Sequence, residues 1–313
     1  MNNIIEGTRL ADMCDYSFGD QASVICHIPG GYMKDANITN IEFIEKMSII
    51  SKERNYMTLF IDNIRLYKRD IVLNNEFDQN WVNKLMYEND LLKLCSQLRN
   101  MNFIIFTNLE DTPIDSHIEG NIPSNVLSIN AVNAIYNNNK VKPFPYGLQR
   151  RLNTSDNRSE IILEMMNIDI DINNLLYINH NISTNKERVG LSDLFIDEKW
   201  VNVNSDRVDY KTFLTKIKET KFMICPVGNA IDCHRNWEVL YMRRVPIMKK
   251  NDYLIKLFSG FPVLFVDEYS DVTEELLIVN DNLYQDALNL DLDKLNLDRL
   301  FNIIIKENLN DNN

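Results

Sequence analysis

Unbroken runs of hydrophobic residues alternate with amphipathic segments along most of the chain. Apolar runs that are continuous rather than alternating are typical of parallel strands that are buried on both faces of a sheet. They predict strands at residues 57–61, 103–106, 126–129, 175–178, 222–225, 245–248 and 263–266. Helical spacing of apolar side chains predicts helices at residues 81–98, 210–220 and 237–242. Because strands alternate with helices, we expect an α/β fold with parallel sheets.

A short segment rich in proline divides the two groups of predicted strands. Residues 142–147 contain two prolines and a glycine after a predicted strand, which is typical of a crossing between domains. A chain of 313 residues is long enough for about two domains. We therefore expect one α/β domain in residues 1–150, a second in residues 151–282 and a helical segment in residues 283–313.

The composition is that of a globular protein, with 45% hydrophobic and 25% charged residues. No apolar run approaches the roughly 18 residues of a membrane span, and the N-terminus lacks the features of a signal peptide. The five cysteines form no CxxC pair, so we expect reduced thiols in a cytoplasmic protein, in a bacterial host if the gene is viral. A net charge of −12 disfavours broad nucleic-acid binding. It leaves room for a local basic groove, for which the candidates are Arg150, Arg151, Arg243, Arg244, Lys249 and Lys250.

The segment from Lys221 to Glu238 carries the clearest chemical signal. It reads as an apolar strand, a glycine loop and the first turn of a helix. Such a junction gathers unpaired backbone N–H groups and the positive end of a helix dipole, which together suit a diphosphate. The alternative is an ordinary β–α unit whose charged side chains are solvated.

Individual residues of this segment suggest roles. Asp232 stands where a helix N-cap is expected, and Arg235 in the first turn can face a bound anion. Glu238 lies one turn further on, where a carboxylate can accept both hydroxyls of a ribose. The alternative is an Arg235–Glu238 ion pair within the helix and no ligand. Trp237 is expected in the core.

The string P-x-G-x-x-x-D-x-x-R-x-W-E, from Pro226 to Glu238, resembles the donor-binding motif of exostosin-like glycosyltransferases. The likeness extends over about residues 175–275 and excludes the first 140. Ala230 departs from the pattern, because the family often has a second glycine there. Other parts of the likeness are Leu176–Asn179, Thr184–Arg188, Val245–Ile247, Phe261–Leu264 and Asp267, and Arg243 and Arg244 replace a usual glycine turn.

The resemblance implies the GT-B fold, in which two Rossmann-like domains face each other across a cleft. It implies transfer of a sugar from a nucleoside diphosphate sugar, UDP-linked in our expectation, without an obligatory metal. Arg235 and Arg188 would neutralise the diphosphate leaving group, backbone N–H groups from Gly228 onward would assist, and Glu238 would hold the ribose. The full set of expected donor-binding residues is Arg188, Gly228, Asn229, Asp232, His234, Arg235 and Glu238.

An inverting transfer also needs a general base near the acceptor hydroxyl, whereas a retaining one does not. We favour Asp20 and then Asp62 for this base. The acceptor is expected to be a saccharide or a hydroxymethylated base in phage DNA. The alternative function is a non-catalytic α/β protein that binds a nucleotide or sugar. Other candidates for the base are Asp15, His27, Glu110 and Asp111.

Three further groups of residues are expected to have structural roles or to be exposed to solvent. His180 is expected to have an ordinary hydrogen-bonding role, and Cys225 and Cys233 to be buried side chains rather than nucleophiles. The two Asp-x-Asp strings at residues 169–171 and 291–293 are expected to be solvated surface. A dehydrogenase is disfavoured because no G-x-G-x-x-G follows the first strand.

Overall fold

The computed structural model describes residues 4–17, 40–61, 66, 91–108, 111–136, 138–149, 158–204 and 207–310. Within these ranges the predicted α/β fold is confirmed, because helices alternate with the strands of two parallel sheets. The candidate bases Asp20, Asp62, His27 and Glu110 lie outside the described residues, as do Arg150 and Arg151. Among the helices that the structure describes, none is both long enough and apolar enough to cross a bilayer.

The chain forms two compact units. The 147–300 unit contains Gly147–Leu300 together with Met1–Ile5, and the 6–146 unit contains Glu6–Tyr146 together with Phe301–Asn313.

The 6–146 unit contains a parallel sheet whose strand order, β1-β2-β3-β4-β5, follows the order of the chain. The apolar runs form its centre, because the inner positions of β2, β3 and β4 are almost all buried. Its strands are β1 (Tyr16–Ser17), β2 (Tyr56–Ile61), β3 (Asn102–Thr107), β4 (Val126–Ala131) and β5 (Val141–Pro143). Its described helices include α1 (Gly7–Met13), α2 (Asn40–Ile50), α3 (Leu91–Ser96) and a 3-10 turn (Ser116–Ile118).

The 147–300 unit contains the second parallel sheet, in the order β10-β9-β8-β6-β7. Its strands are β6 (Asn174–Ile178), β7 (Val201–Val203), β8 (Thr220–Ile224), β9 (Val245–Lys249) and β10 (Leu264–Val266). Its α-helices are α4 (Arg158–Met166), α5 (Tyr210–Lys218), α6 (His234–Tyr241), α7 (Asp252–Leu257), α8 (Glu274–Val279) and α9 (Asp281–Leu288), and 3-10 turns cover Ile182–Thr184, Lys186–Arg188, Ser192–Phe195, Tyr269–Asp271 and Leu292–Leu295. The next helix, α10 (Leu297–Asn310), contributes its first residues to this unit and the remainder to the other.

The start of the 147–300 unit is joined to its N-terminal residues by a close backbone contact. Gly147 has φ +71°, and a Cβ atom there would lie 2.3 Å from the Ile5 carbonyl oxygen. The next residue, Leu148, donates its N–H to that same oxygen at 2.8 Å. Only glycine tolerates both the backbone angle and the close approach.

The strand order of the 147–300 unit reverses beside β6, because β7 lies on one side of β6 and β8 on the other. At such a switch point the loops that follow the two central strands leave in opposite directions and open a crevice at their carboxyl ends. The strand order within the described part of the 6–146 unit has no such reversal. The topology therefore directs the search for a ligand site to the loops after β6 and β8.

Candidate functional site

A cavity of about 1130 Å³ lies in the 147–300 unit. Its walls come from the loops that follow β6 and β7, the start of α4, the start of α5 and the first turns of α6. The volume is in the range of pockets that hold small-molecule ligands and cofactors. Its lining includes four arginines, Arg158, Arg188, Arg207 and Arg235, and three carboxylates, Asp193, Asp209 and Glu238. A protein with net charge −12 thus concentrates cations here.

Arg188 is buried, and its guanidinium bonds mainly to backbone. Its Nε donates to the Val227 carbonyl at 2.7 Å, Nη2 to the Pro226 carbonyl at 2.8 Å and Nη1 to the Asn181 carbonyl at 3.2 Å. Burial, followed by the nearby charge of Arg235, lowers the pKa of Arg188. Arg188 therefore clamps the loop after β6 to the loop after β8, and it presents the remainder of its surface to the cavity.

Gly228 makes this clamp possible. A Cβ atom at Gly228 would lie 3.1 Å from Arg188 Nη2 and 3.2 Å from Cys233 Sγ, so a side chain would crowd the guanidinium. The Gly228 N–H donates to the Ala230 carbonyl at 3.0 Å, and its carbonyl accepts from Asn185 Nδ2 at 2.8 Å. The amide that was expected to face a phosphate is thus used within the loop. Neither Gly228 nor the exposed Asn229 lines the cavity.

The prediction that Asp232 is the N-cap of the helix is wrong. Helix α6 begins at His234 with Cys233 as its N-cap, and no side chain caps it. Asp232 is fully buried, and its two oxygens accept from the Trp237 indole N–H at 2.9 and 3.0 Å. A buried indole N–H needs an acceptor, and this need draws the carboxylate beneath the helix. Asp232 also accepts from Asn236 Nδ2 at 3.1 Å, and Trp237 lies in the core as predicted.

His234 ties the start of α6 to the start of its unit. Its Nδ1 lies 2.7 Å from the Gly147 carbonyl oxygen, which can only accept, so Nδ1 carries the proton. His234 and Asp232 do not line the cavity. Of the seven expected donor-binding residues, Arg188, Arg235 and Glu238 line it.

Arg235 differs from Arg188 in its bonding. It lines the cavity, yet it has no hydrogen bond or ion pair within the part of the chain that the structure describes, and its buried Nε lacks a partner there. The guanidinium lies 5.9 Å from the centre of the Phe213 ring. A buried polar group without a partner costs about 1–3 kcal/mol, so an anion that enters the cavity finds a cation ready to bind it.

Glu238 pairs with a residue outside the motif. Its Oε1 lies 3.7 Å from Arg158 Nη1, and both side chains are largely buried. The Arg158 guanidinium also covers the Tyr210 ring at 4.4 Å. The alternative ion pair between Arg235 and Glu238 is therefore absent from the described structure. Burial raises the pKa of Tyr210 well above its usual value, and the charge of Glu238 raises it further.

Sequence reasoning missed Arg158 and Tyr210, because both lie outside the motif. One signal was available for Arg158. A basic residue in the first described turn of a helix opposes the helix dipole, which favours acidic residues there.

His180 is satisfied at one ring nitrogen only. Its Nε2 lies 3.1 Å from the Arg188 carbonyl oxygen, whereas Nδ1 is buried without a partner among the described residues. Burial lowers the pKa of His180, and the charges of Arg235 and Arg188 lower it further against the opposing effect of the carbonyl bond. The imidazole is therefore neutral near pH 7, with its proton on Nε2.

The remaining expectations concern thiols and carboxylates. Burial raises the pKa of Cys225, and it raises that of Cys233 to about 11, so neither thiol is an activated nucleophile. Asp15 pairs with Arg54 at 2.7 Å and accepts from the backbone N–H of Thr58 at 2.8 Å. Asp111 accepts from Tyr146 at 3.0 Å, so both described carboxylate candidates make structural bonds. In the portion of the chain described, no cluster of His, Cys, Asp and Glu has the make-up of a metal site.

No protein-family model matches the chain, and a search of curated proteins finds no match either. The resemblance to exostosin-like glycosyltransferases therefore rests on the motif residues themselves.

Proposed function

We propose that the chain is a glycosyltransferase whose 147–300 unit binds a nucleoside diphosphate sugar in the basic cavity. The observation that carries the proposal is Arg235, a cavity-lining cation without a described partner, one helical turn from the buried carboxylate of Glu238. A diphosphate needs cations and a ribose needs a hydrogen-bond acceptor, and these two groups supply both. The switch point of the sheet supports the same location.

In this proposal Arg235 binds the diphosphate directly. Arg158, the ion-pair partner of Glu238, adds a second cation. Arg188 contributes charge from the wall while its hydrogen bonds hold the loops in place. Charge that develops on the leaving diphosphate is then stabilised by groups that are already positioned, which is the main source of rate in such transfers.

The 6–146 unit is the acceptor side of a GT-B arrangement in this proposal. In an inverting transfer, a carboxylate of this unit takes the proton of the acceptor hydroxyl, and Asp20 and Asp62 remain the candidates. The hydroxyl oxygen then bonds to the anomeric carbon as the bond from that carbon to the diphosphate oxygen breaks.

Three candidates for a basic groove bear on the choice between a saccharide acceptor and DNA. Arg244 is buried and its guanidinium donates to backbone carbonyls, including that of Lys218. Lys249 pairs with Glu268 at 2.9 Å. Lys250 likewise pairs with Asp267 at 2.9 Å. These three candidates are therefore buried or held in ion pairs, which supports a saccharide acceptor. Arg243 donates to the Leu288 carbonyl, and Arg150 and Arg151 lie outside the described residues.

The proposal is tested by replacing Arg235 with alanine. Loss of a charge-assisted contact should weaken binding of UDP, GDP or dTDP about 10–100-fold, measured by calorimetry. The matched control is Arg299→Ala in the same unit, since that arginine is exposed and pairs weakly with Asp291 at 3.5 Å. Equal affinity in the two variants would contradict the role of Arg235.

Hydrolysis of the matching sugar nucleotide without an acceptor separates an enzyme from a non-catalytic binding protein. A transferase should release the sugar slowly to water, and Arg235→Ala should suppress this release. Tight binding with no release of sugar, alone or with oligosaccharide acceptors, would favour the binding protein.

A further inference from the structure

One ring nitrogen of His180, which lines the cavity, lacks a hydrogen-bond partner among the described residues. A carbonyl oxygen can only accept, so the contact between Nε2 and the Arg188 carbonyl at 3.1 Å fixes the proton on Nε2. Nδ1 then carries a lone pair, and no described residue donates to it. The side chain is 8% exposed and lines the same cavity as Arg235 and Glu238.

The missing partner of Nδ1 must be a hydrogen-bond donor. A buried acceptor left without one costs about 1–3 kcal/mol, and folded proteins retain few such groups. Ionised phosphate oxygens are acceptors, so the diphosphate that suits Arg235 cannot satisfy Nδ1. A hydroxyl group can. A ligand that combines an anion with hydroxyls would therefore satisfy both Arg235 and His180, its hydroxyl taking the place of solvent at Nδ1.

The arrangement of the walls separates two hydroxyl-binding groups. Glu238 lies on the wall made by α4, α5 and α6, beside Arg158 and Tyr210. His180 lies on the loop after β6. Arg235 lines the same cavity as Glu238 and His180, and its guanidinium lies 5.9 Å from the centre of the Phe213 ring of α5.

A nucleoside diphosphate sugar carries its ribose and its sugar at opposite ends of the diphosphate. With the diphosphate at Arg235 and the ribose at Glu238, His180 in the same lining is available to the sugar. We infer that His180 Nδ1 accepts a hydrogen bond from a hydroxyl of the transferred sugar, so that His180 determines the preference for the sugar nucleotide over the free nucleoside diphosphate. This inference rests on the proposed function.

Two substitutions separate this role from the structural bond of the ring. His180→Gln places an amide N–H near the position of Nε2, which keeps the bond to the Arg188 carbonyl and removes the acceptor at Nδ1. His180→Asn places an amide oxygen near the position of Nδ1 and loses the loop bond. The matched control is His117→Gln, at an exposed histidine of the 6–146 unit.

Calorimetry would compare UDP with UDP-glucose and UDP-N-acetylglucosamine, and GDP with GDP-mannose. For the pair that binds, His180→Gln should weaken binding of the sugar nucleotide about tenfold. Its affinity for the free nucleoside diphosphate should stay within about twofold of that of the wild type. His180→Asn should recover part of the preference, and His117→Gln should change neither affinity.

The outcomes distinguish the role of His180 from binding at the diphosphate site. Equal weakening of both ligands by His180→Gln, or no change in either, overturns the role of His180 while the diphosphate site stands. A wild-type protein that binds none of the nucleoside diphosphates or their sugars overturns the proposed function, and the role of His180 falls with it.

Discussion

Replacement of Arg188 by alanine tests whether this residue is a structural clamp. Arg188 and Arg235 both line the cavity, but their bonding differs. Arg188 donates to the carbonyls of Val227, Pro226 and Asn181, whereas Arg235 has no such bonds in the described chain. We expect Arg188→Ala to lower the free energy of unfolding far more than Arg235→Ala does.

The magnitude follows from the three carbonyls that lose their donor. A buried polar group without a partner costs about 1–3 kcal/mol. Water can enter from the adjoining cavity and satisfy part of the loss, so the lower figure applies to each carbonyl. The expected destabilisation is about 3 kcal/mol for Arg188→Ala. For Arg235→Ala we expect less than about 1 kcal/mol, because that substitution leaves no described group unpaired.

Urea denaturation followed by tryptophan fluorescence measures this difference, since Trp237 lies in the same unit and packs against Phe258 at 4.7 Å between ring centres. Arg188→Lys keeps the charge but cannot form the fork of hydrogen bonds, so it should recover little of the loss. If Arg188→Ala and Arg235→Ala unfold at the same urea concentration, the distinction between clamp and ligand cation is refuted.

Two further predictions concern the backbone and pH. Gly147→Ala should lower the free energy of unfolding by about 3 kcal/mol or more, measured by thermal or urea unfolding, because its Cβ would lie 2.3 Å from the Ile5 carbonyl oxygen. The control Gly260→Ala, at φ +82° with open space around it, should lower it by only about 1–2 kcal/mol. Equal losses in the two variants would argue against the close contact at Gly147. Because burial chiefly lowers the pKa of His180 below 6.5, the unfolded chain takes up this proton first, so stability should fall as pH drops from about 6.5 through the folded pKa. His180→Gln should reduce that slope, and an unchanged slope would show that His180 does not contribute to it.

Local sequence patterns predicted seven of the ten described strands, and they missed the short strands β1, β5 and β7. Continuous, largely apolar runs predicted strands such as Tyr56–Ile61 and Val245–Lys249, because strands buried on both faces of a parallel sheet carry few polar side chains. The predicted start of helix α6 was wrong because the sequence suggested Asp232 as the N-cap, whereas the N-cap is Cys233. Asp232 has the side chain of a good N-cap, but its carboxylate is held by the Trp237 indole, and that bond depends on how the helix packs.

By itself, the sequence determined an α/β chain with a strand, glycine loop and helix that bring Arg235 and Glu238 together. That follows from periodicity and short-range spacing, which are local properties. Only the tertiary structure decided which charges are free to act. It assigned Arg188 to three loop carbonyls, paired Glu238 with Arg158 and left Nδ1 of His180 without a described donor. These contacts join residues far apart in the chain, and the partner of a side chain is set by packing that no local pattern encodes.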